Sequence, residues 1–143
     1  MKNQKNPLRE VRPQRTCTRT YRNYRSFKRP LQADFNSRCG YCDDPDSWDG
    51  GYRHYHIDHF VPKIHLSRIG ENEYRNLVYS CFSCNNSKGE DWPAGDETVR
   101  MLGSKGYIDP CESRYDRQFY RERLGDIVPE TKVGQYMFEK MNL

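Results

Sequence analysis

The sequence predicts an α+β fold: two short strands and a helix closed by a four-cysteine zinc site, with a basic helical N-terminal arm and a small C-terminal α/β extension. Three observations predict it. Residues 55–61 and 77–80 are β-prone, and the second run leads into a short helical segment that stops at Gly89. Cys39-x-x-Cys42 and Cys81-x-x-Cys84 bracket that region with two pairs at zinc-ligand spacing. Charge is unequally divided: residues 1–30 carry ten Lys or Arg against Glu10 alone, which is +9 and leaves −5 for the rest.

Composition bounds the remainder. A chain of 143 residues falls within one domain. Only 34% of it is hydrophobic and the mean hydropathy is −1.13, so the apolar core is modest and leans on eleven Tyr, six Phe and two Trp. A thin core favours a metal staple. No run of 18 apolar residues exists, and the basic N-terminus lacks an apolar signal region, so neither a membrane span nor a secretory leader is expected. A cytoplasmic location follows, where thiols stay reduced and such pairs mean metal more often than disulfide.

In order along the chain, residues 1–29 form the basic arm. Its first fifteen residues, with Pro7 and Pro13 and no apolar periodicity, are expected to be extended and mobile without a partner. Residues 16–35 admit a helical reading, with Arg15, Arg19 and Arg22 three or four apart and Tyr21, Tyr24 and Phe27 likewise. Pro30 is placed at the first position of a second helix, with Leu31 and Phe35 facing the core. Arg15, Arg19, Arg22, Arg25, Lys28 and Arg29, interleaved with Tyr, suit phosphate contacts and base stacking. A solvated basic tail with packed tyrosines is the rival reading.

Residues 30–90 form the expected core. Gly40 allows a tight turn between the first two cysteines, and 43–53 is a turn-rich loop. A strand over 55–61 ends at Pro62, and 63–75 is a loop with a helical turn. Leu77–Ser80 is the second strand and Phe82–Lys88 the helix. Residues 91–143 extend the core. They comprise a loop over 90–106, a small hairpin of 119–120 with 126–128, and a terminal helix from Val133 to Met141 capped by Thr131.

Cys39, Cys42, Cys81 and Cys84 make a closed four-thiolate shell for structural Zn2+, with no open position for chemistry. Cys17 and Cys111 have no partner at ligand spacing. The run from His56 to Gly89 also holds the groups that metal-assisted phosphodiester hydrolysis needs: an acid beside a histidine, a middle asparagine, and an amide-rich segment ending in lysine. His56-Ile57-Asp58-His59, Asn76-Leu77 and Cys81-x-x-Cys84-Asn85-x-x-Lys88-Gly89, in this order, resemble the HNH endonuclease motif.

The resemblance implies a ββα-metal core and a DNA-cleaving activity that leaves 5′-phosphate and 3′-hydroxyl ends. It carries Asp58 and Asn85 onto the ligands of a catalytic Mg2+ or Mn2+, His59 onto the general base, and Asn76 onto the residue bracing the loop of that base. The last position of the motif is Asn85 here instead of histidine, which favours hard metals. Adjacent strand residues point to opposite faces, so a distortion or strand end is expected at Asp58–His59. Lys88, one turn beyond Asn85, is expected to hold a phosphate oxygen, with Lys63 a weaker candidate. His54, His56 and His65 are expected at the surface or behind the ligands, and His56 could orient its neighbours.

Residues 107–143 are similar to the tail of bacterial stand-alone HNH proteins, some of which work beside an ATPase in defence against phage. An ATPase or sensor partner is thereby implied. One site per chain means that cutting both strands needs two encounters or a homodimer. Three rivals stay open: a catalytically silent zinc-stapled nucleic-acid-binding module, an RNA-cleaving enzyme, and an effector subunit activated by a partner.

Overall fold

The computed structural model describes residues 4–143; residues 1–3 of the basic arm, including Lys2, lie outside them. In chain order the elements are β1 (Asn6–Pro7), α1 (Lys28–Asp34), β2 (His56–His59), β3 (Leu77–Ser80), α2 (Phe82–Lys88), β4 (Met101–Leu102), β5 (Lys105–Gly106), β6 (Phe119–Arg121), β7 (Ile127–Pro129) and α3 (Lys132–Met141). Single 3-10 turns punctuate the loops, among them Tyr24–Phe27, Asp46–Asp49, Lys63–His65 and Tyr74–Asn76.

The hairpin of β2 and β3 is the centre. It pairs His56 with Ser80 through to His59 with Leu77, and all four β3 residues are buried. α1 packs on β3 through an aromatic layer in which Phe27, Leu31 and Phe35 are each at most 2% exposed. Burying each such side chain stabilises the fold by about 1.5–3 kcal/mol. α2 leaves β3 after one residue and is stopped by Gly89, whose φ of 52° disfavours residues with a Cβ.

The N-terminal segment departs from the expected mobile arm. It is extended but anchored: β1 pairs with β6, Leu8 is buried, and Arg9 pairs with Asp116 at 2.6 Å while lying over the Tyr115 ring. Residues 16–23 are not helical, because other groups take their backbone. The Asp34 carboxylate accepts from the Thr16 and Cys17 N–H groups, and the Asn72 amide bridges the Arg22 carbonyl and the Tyr24 N–H. The helix therefore starts at Lys28, two residues before Pro30. Proline is tolerated there because first-turn N–H groups lack helical partners.

The C-terminal region closes over the core. β6 and β7 form the expected hairpin, with β1 as an added third strand, and β4 and β5 form a second hairpin in a stretch expected to be loop. Thr131 caps α3 by accepting from the Gly134 N–H. α3 packs on α2, and the Tyr115 hydroxyl donates to the Tyr41 carbonyl inside the first knuckle.

Candidate active site

The four cysteines meet. The Sγ atoms of Cys39, Cys42, Cys81 and Cys84 all lie within 4.8 Å of one another and every one is buried. Cys42 and Cys81 stand 3.9 Å apart. A zinc ion with bonds of about 2.3 Å to four sulfurs needs S–S edges of about 3.8 Å, so the cluster fits a tetrahedral ion. Gly40 has a different reason from the tight turn expected: a Cβ there would lie 2.7 Å from the Phe35 ring and 2.8 Å from Val78. The residue with positive φ in this knuckle is Asp43, at 66°. Gly40 is a close-approach glycine that lets the knuckle settle on the core, its N–H bonded to the Tyr79 carbonyl.

On the same hairpin a cleft is lined by Tyr24, Ile57, Asp58, His59, Pro62, Lys63, Asn85, Gly89 and Glu90. Asp58 is 5% exposed, and its two partners, the Tyr41 hydroxyl and the Lys88 ammonium at 3.1 Å, both engage Oδ2. Oδ1 accepts no hydrogen bond from a described residue. Burial and the neighbouring carboxylate hold the Tyr41 pKa well above its ordinary value, so Tyr41 stays a donor. The Asn85 side chain, from one turn along α2, likewise has no hydrogen-bond partner among the described residues. The cleft thus contains two free hard-oxygen donors, which suit a divalent cation.

His59 is the last residue of β2, which resolves the problem of two adjacent residues serving one cleft. Its Nε2 is 2.9 Å from the Glu71 carbonyl, and the Tyr24 ring meets the imidazole edge-on at 4.6 Å. A carbonyl partner fixes Nε2 as the protonated nitrogen of the neutral ring and leaves Nδ1 as the acceptor. Burial lowers the His59 pKa below 6.5, and the bond to Glu71 offsets this only in part. Asn76 is buried, and its amide spans Val61: it accepts from the N–H at 2.9 Å and donates to the carbonyl at 3.0 Å. Asn76 therefore pins the turn that follows His59.

Lys88 departs from its expected place. Its side chain is fully buried, bonded to Asp58 and to the His59 carbonyl at 3.1 Å, with the Tyr107 ring 5.4 Å from the ammonium. It cannot reach a phosphate. It braces Asp58 and the His59 backbone from behind, and Tyr107 of the C-terminal extension walls it in.

The arginines of the arm divide. Arg15, expected among the nucleic-acid contacts, is instead a half-buried clamp that pairs with Asp109 at 2.8 Å and donates to the Leu77 carbonyl. Arg19, Arg22, Arg25 and Arg29 are exposed and Lys28 is half-buried. Arg25 and Lys63 lie on the Tyr24 ring beside the cleft, while Lys28 and Arg29 flank Tyr52. His56, half-buried, has its pKa lowered first by burial and then by the nearby charges of Lys28 and His54. Tyr24 lines the cleft, while Tyr41 and Tyr107, which spacing does not mark, stand behind it against Asp58 and Lys88. Chain crossings bring these two there, not a local pattern.

Residues 39–91 match the family model of the HNH endonucleases. The chain carries an HNH endonuclease domain. The match runs from the first zinc-type knuckle through β2, β3 and α2, and so takes in Asp58, His59 and Asn85 of the cleft. The match suggests nuclease activity on a nucleic-acid substrate, and HNH nucleases use divalent metals. No curated protein and no solved structure matches the chain. Within the described residues, no helix is long and apolar enough to cross a membrane.

Proposed function

We propose that the protein is a metal-dependent endonuclease that hydrolyses phosphodiester bonds in DNA. The observation that carries this reading is the cleft in which the free Oδ1 of Asp58, the free amide of Asn85 and the ring of His59 meet. Asp58 and Asn85 would hold Mg2+ or Mn2+, oxygen donors suiting hard cations. When bound, the ion supplies positive charge to the scissile phosphate and the departing oxygen.

Every other part of the work falls to the chain. His59, neutral because burial lowers its pKa, takes the proton of the attacking water on Nδ1. The Glu71 carbonyl and the Tyr24 ring hold the imidazole in that tautomer and orientation. Asn76 pins the turn behind the base, and Lys88 with Tyr41 turns Oδ1 of Asp58 toward the cleft by occupying Oδ2. Arg25 and Lys63 receive flanking phosphates. The four thiolates would hold a structural Zn2+ that ties the first knuckle to α2. The resemblance of the tail to stand-alone HNH proteins supports a role in phage defence beside an ATPase partner.

Plasmid cleavage in Mg2+ or Mn2+, with EDTA as control, tests the reading. His59→Ala should lower turnover by roughly 10²–10⁴-fold, the usual worth of a general base, with fold and zinc content unchanged. Cleavage by His59→Ala at the wild-type rate would overturn the assignment.

A further inference from the structure

Phe82 stands apart from the aromatic core that most of the large rings join. It opens α2 with 61% of its surface exposed, and its ring faces His56 at 5.7 Å between centroids. Beside it lies a cavity of about 450 Å3 lined by Asp49, Arg53, His54, His56, Phe82 and Ser83, a size within the range of small-molecule sites. The turn that supplies Asp49 also presents Trp48, 73% exposed.

This cavity lies along the same two elements, β2 and α2, as the nuclease cleft. His56 precedes Asp58 by two residues on β2, so the two side chains leave the same face. Phe82 precedes Asn85 by three residues on α2, one turn away on the same side. The displacement along β2 is about 6.6 Å, of the order of one nucleotide in an extended strand. The rim is mainly basic: Arg53 and His54 are exposed, Lys28 stands near His56, and Asp49 is the one acid of the lining.

We propose that this cavity is a subsite for an unpaired nucleobase next to the scissile phosphodiester, with the base stacked on Phe82 and its phosphate facing Arg53 and His54. The inference rests on the nuclease reading and sharpens its substrate class. A paired base is already covered on both faces by its neighbours, so an aromatic ring gains a stacking partner only where the strand is open. Sequence-tolerant stacking needs a flat exposed ring beside a cationic backbone track, and Phe82 with its basic rim supplies both. The substrate is then a strand that is single or locally unpaired at the cut.

The test uses the full-length, zinc-loaded His59→Ala protein, which should bind without cutting, and a fluorescein-labelled DNA oligonucleotide followed by anisotropy. The same sequence is presented as a single strand and as a perfect duplex. Adding Phe82→Ala should weaken single-strand binding roughly tenfold and leave duplex binding, melting temperature and zinc content unchanged. Adding Phe82→Trp in its place should restore single-strand affinity. Unchanged single-strand affinity in Phe82→Ala, or an equal loss on both DNA forms, would overturn the subsite. If the His59→Ala parent binds neither form, the nuclease reading itself falls. If the parent binds and Phe82→Ala is silent, only the subsite falls.

Discussion

The sulfur cluster and the oxygen cleft share one hairpin and one helix, yet they are built on opposite plans. The four thiols face one another in the core, every one buried, and leave no side open. Asp58 and Asn85 each keep an oxygen free at a cleft, and the groups that hold Asp58 engage only its Oδ2. A closed shell spends its ligands on stability; an open one keeps a position for a substrate or water. The contrast teaches that α2 serves both ends: Cys81 and Cys84 tie its start to the first knuckle, while Asn85, the next residue, lines the cleft and Lys88, one turn later, holds Asp58.

If the division holds, damage to each site should read out differently. Cys39→Ser or Cys84→Ser should have the largest effect: loss of zinc, measured by elemental analysis, together with loss of the cooperative melt. Structural zinc in zinc-finger peptides binds with about 10–16 kcal/mol, comparable to the whole stability of a domain. Active wild-type protein without zinc would break the comparison at once.

Lys88→Met should come next. It strands the buried Asp58 carboxylate, and removing one partner of a buried ion pair costs about 3–5 kcal/mol. Denaturant unfolding should show that loss while zinc stays bound. A variant as stable as wild type would mean that Asp58 does not depend on Lys88.

The smallest effect concerns the loop at residues 67–69. Glu97 accepts from the backbone N–H groups of Ser67, Ile69 and Arg68 and from the Ser67 hydroxyl, and these bonds hold its pKa down to about 2 from 4.5. A depressed carboxylate pKa adds stability above its unfolded value and loses it as pH falls through the folded one. The melting-temperature gap between wild type and Glu97→Gln should therefore be full above about pH 4.5 and shrink toward pH 2. A gap constant across that window would remove Glu97 from the account of the loop.

Local signals explain which parts of this molecule are legible in its sequence. β3, α2 with its Gly89 stop, and Thr131 as the cap of α3 all follow from short-range patterns, and they stand where those patterns put them. The four cysteines are legible because pairs at ligand spacing report a shared cluster. Lys88 shows the limit: its place one turn after Asn85 is correct, but burial behind Asp58 depends on Tyr107, a residue 19 positions further on that no local pattern connects to it. Arg15 fails for the same reason, since its clamp on Asp109 is a contact across 94 positions. The N-terminal arm reads as mobile because its anchor, β6, is more than a hundred residues away.

The claim that the two sites divide structure from chemistry is tested most directly by Asn85→Ala. Asn85 sits on α2 beside the sulfur cluster but lends its amide only to the cleft, and alanine is the best helix former. Zinc content and plasmid cleavage in Mg2+ should be measured on one preparation of this variant. The expected result is the wild-type zinc content with cleavage lost. Wild-type cleavage, or loss of zinc along with activity, would contradict the division.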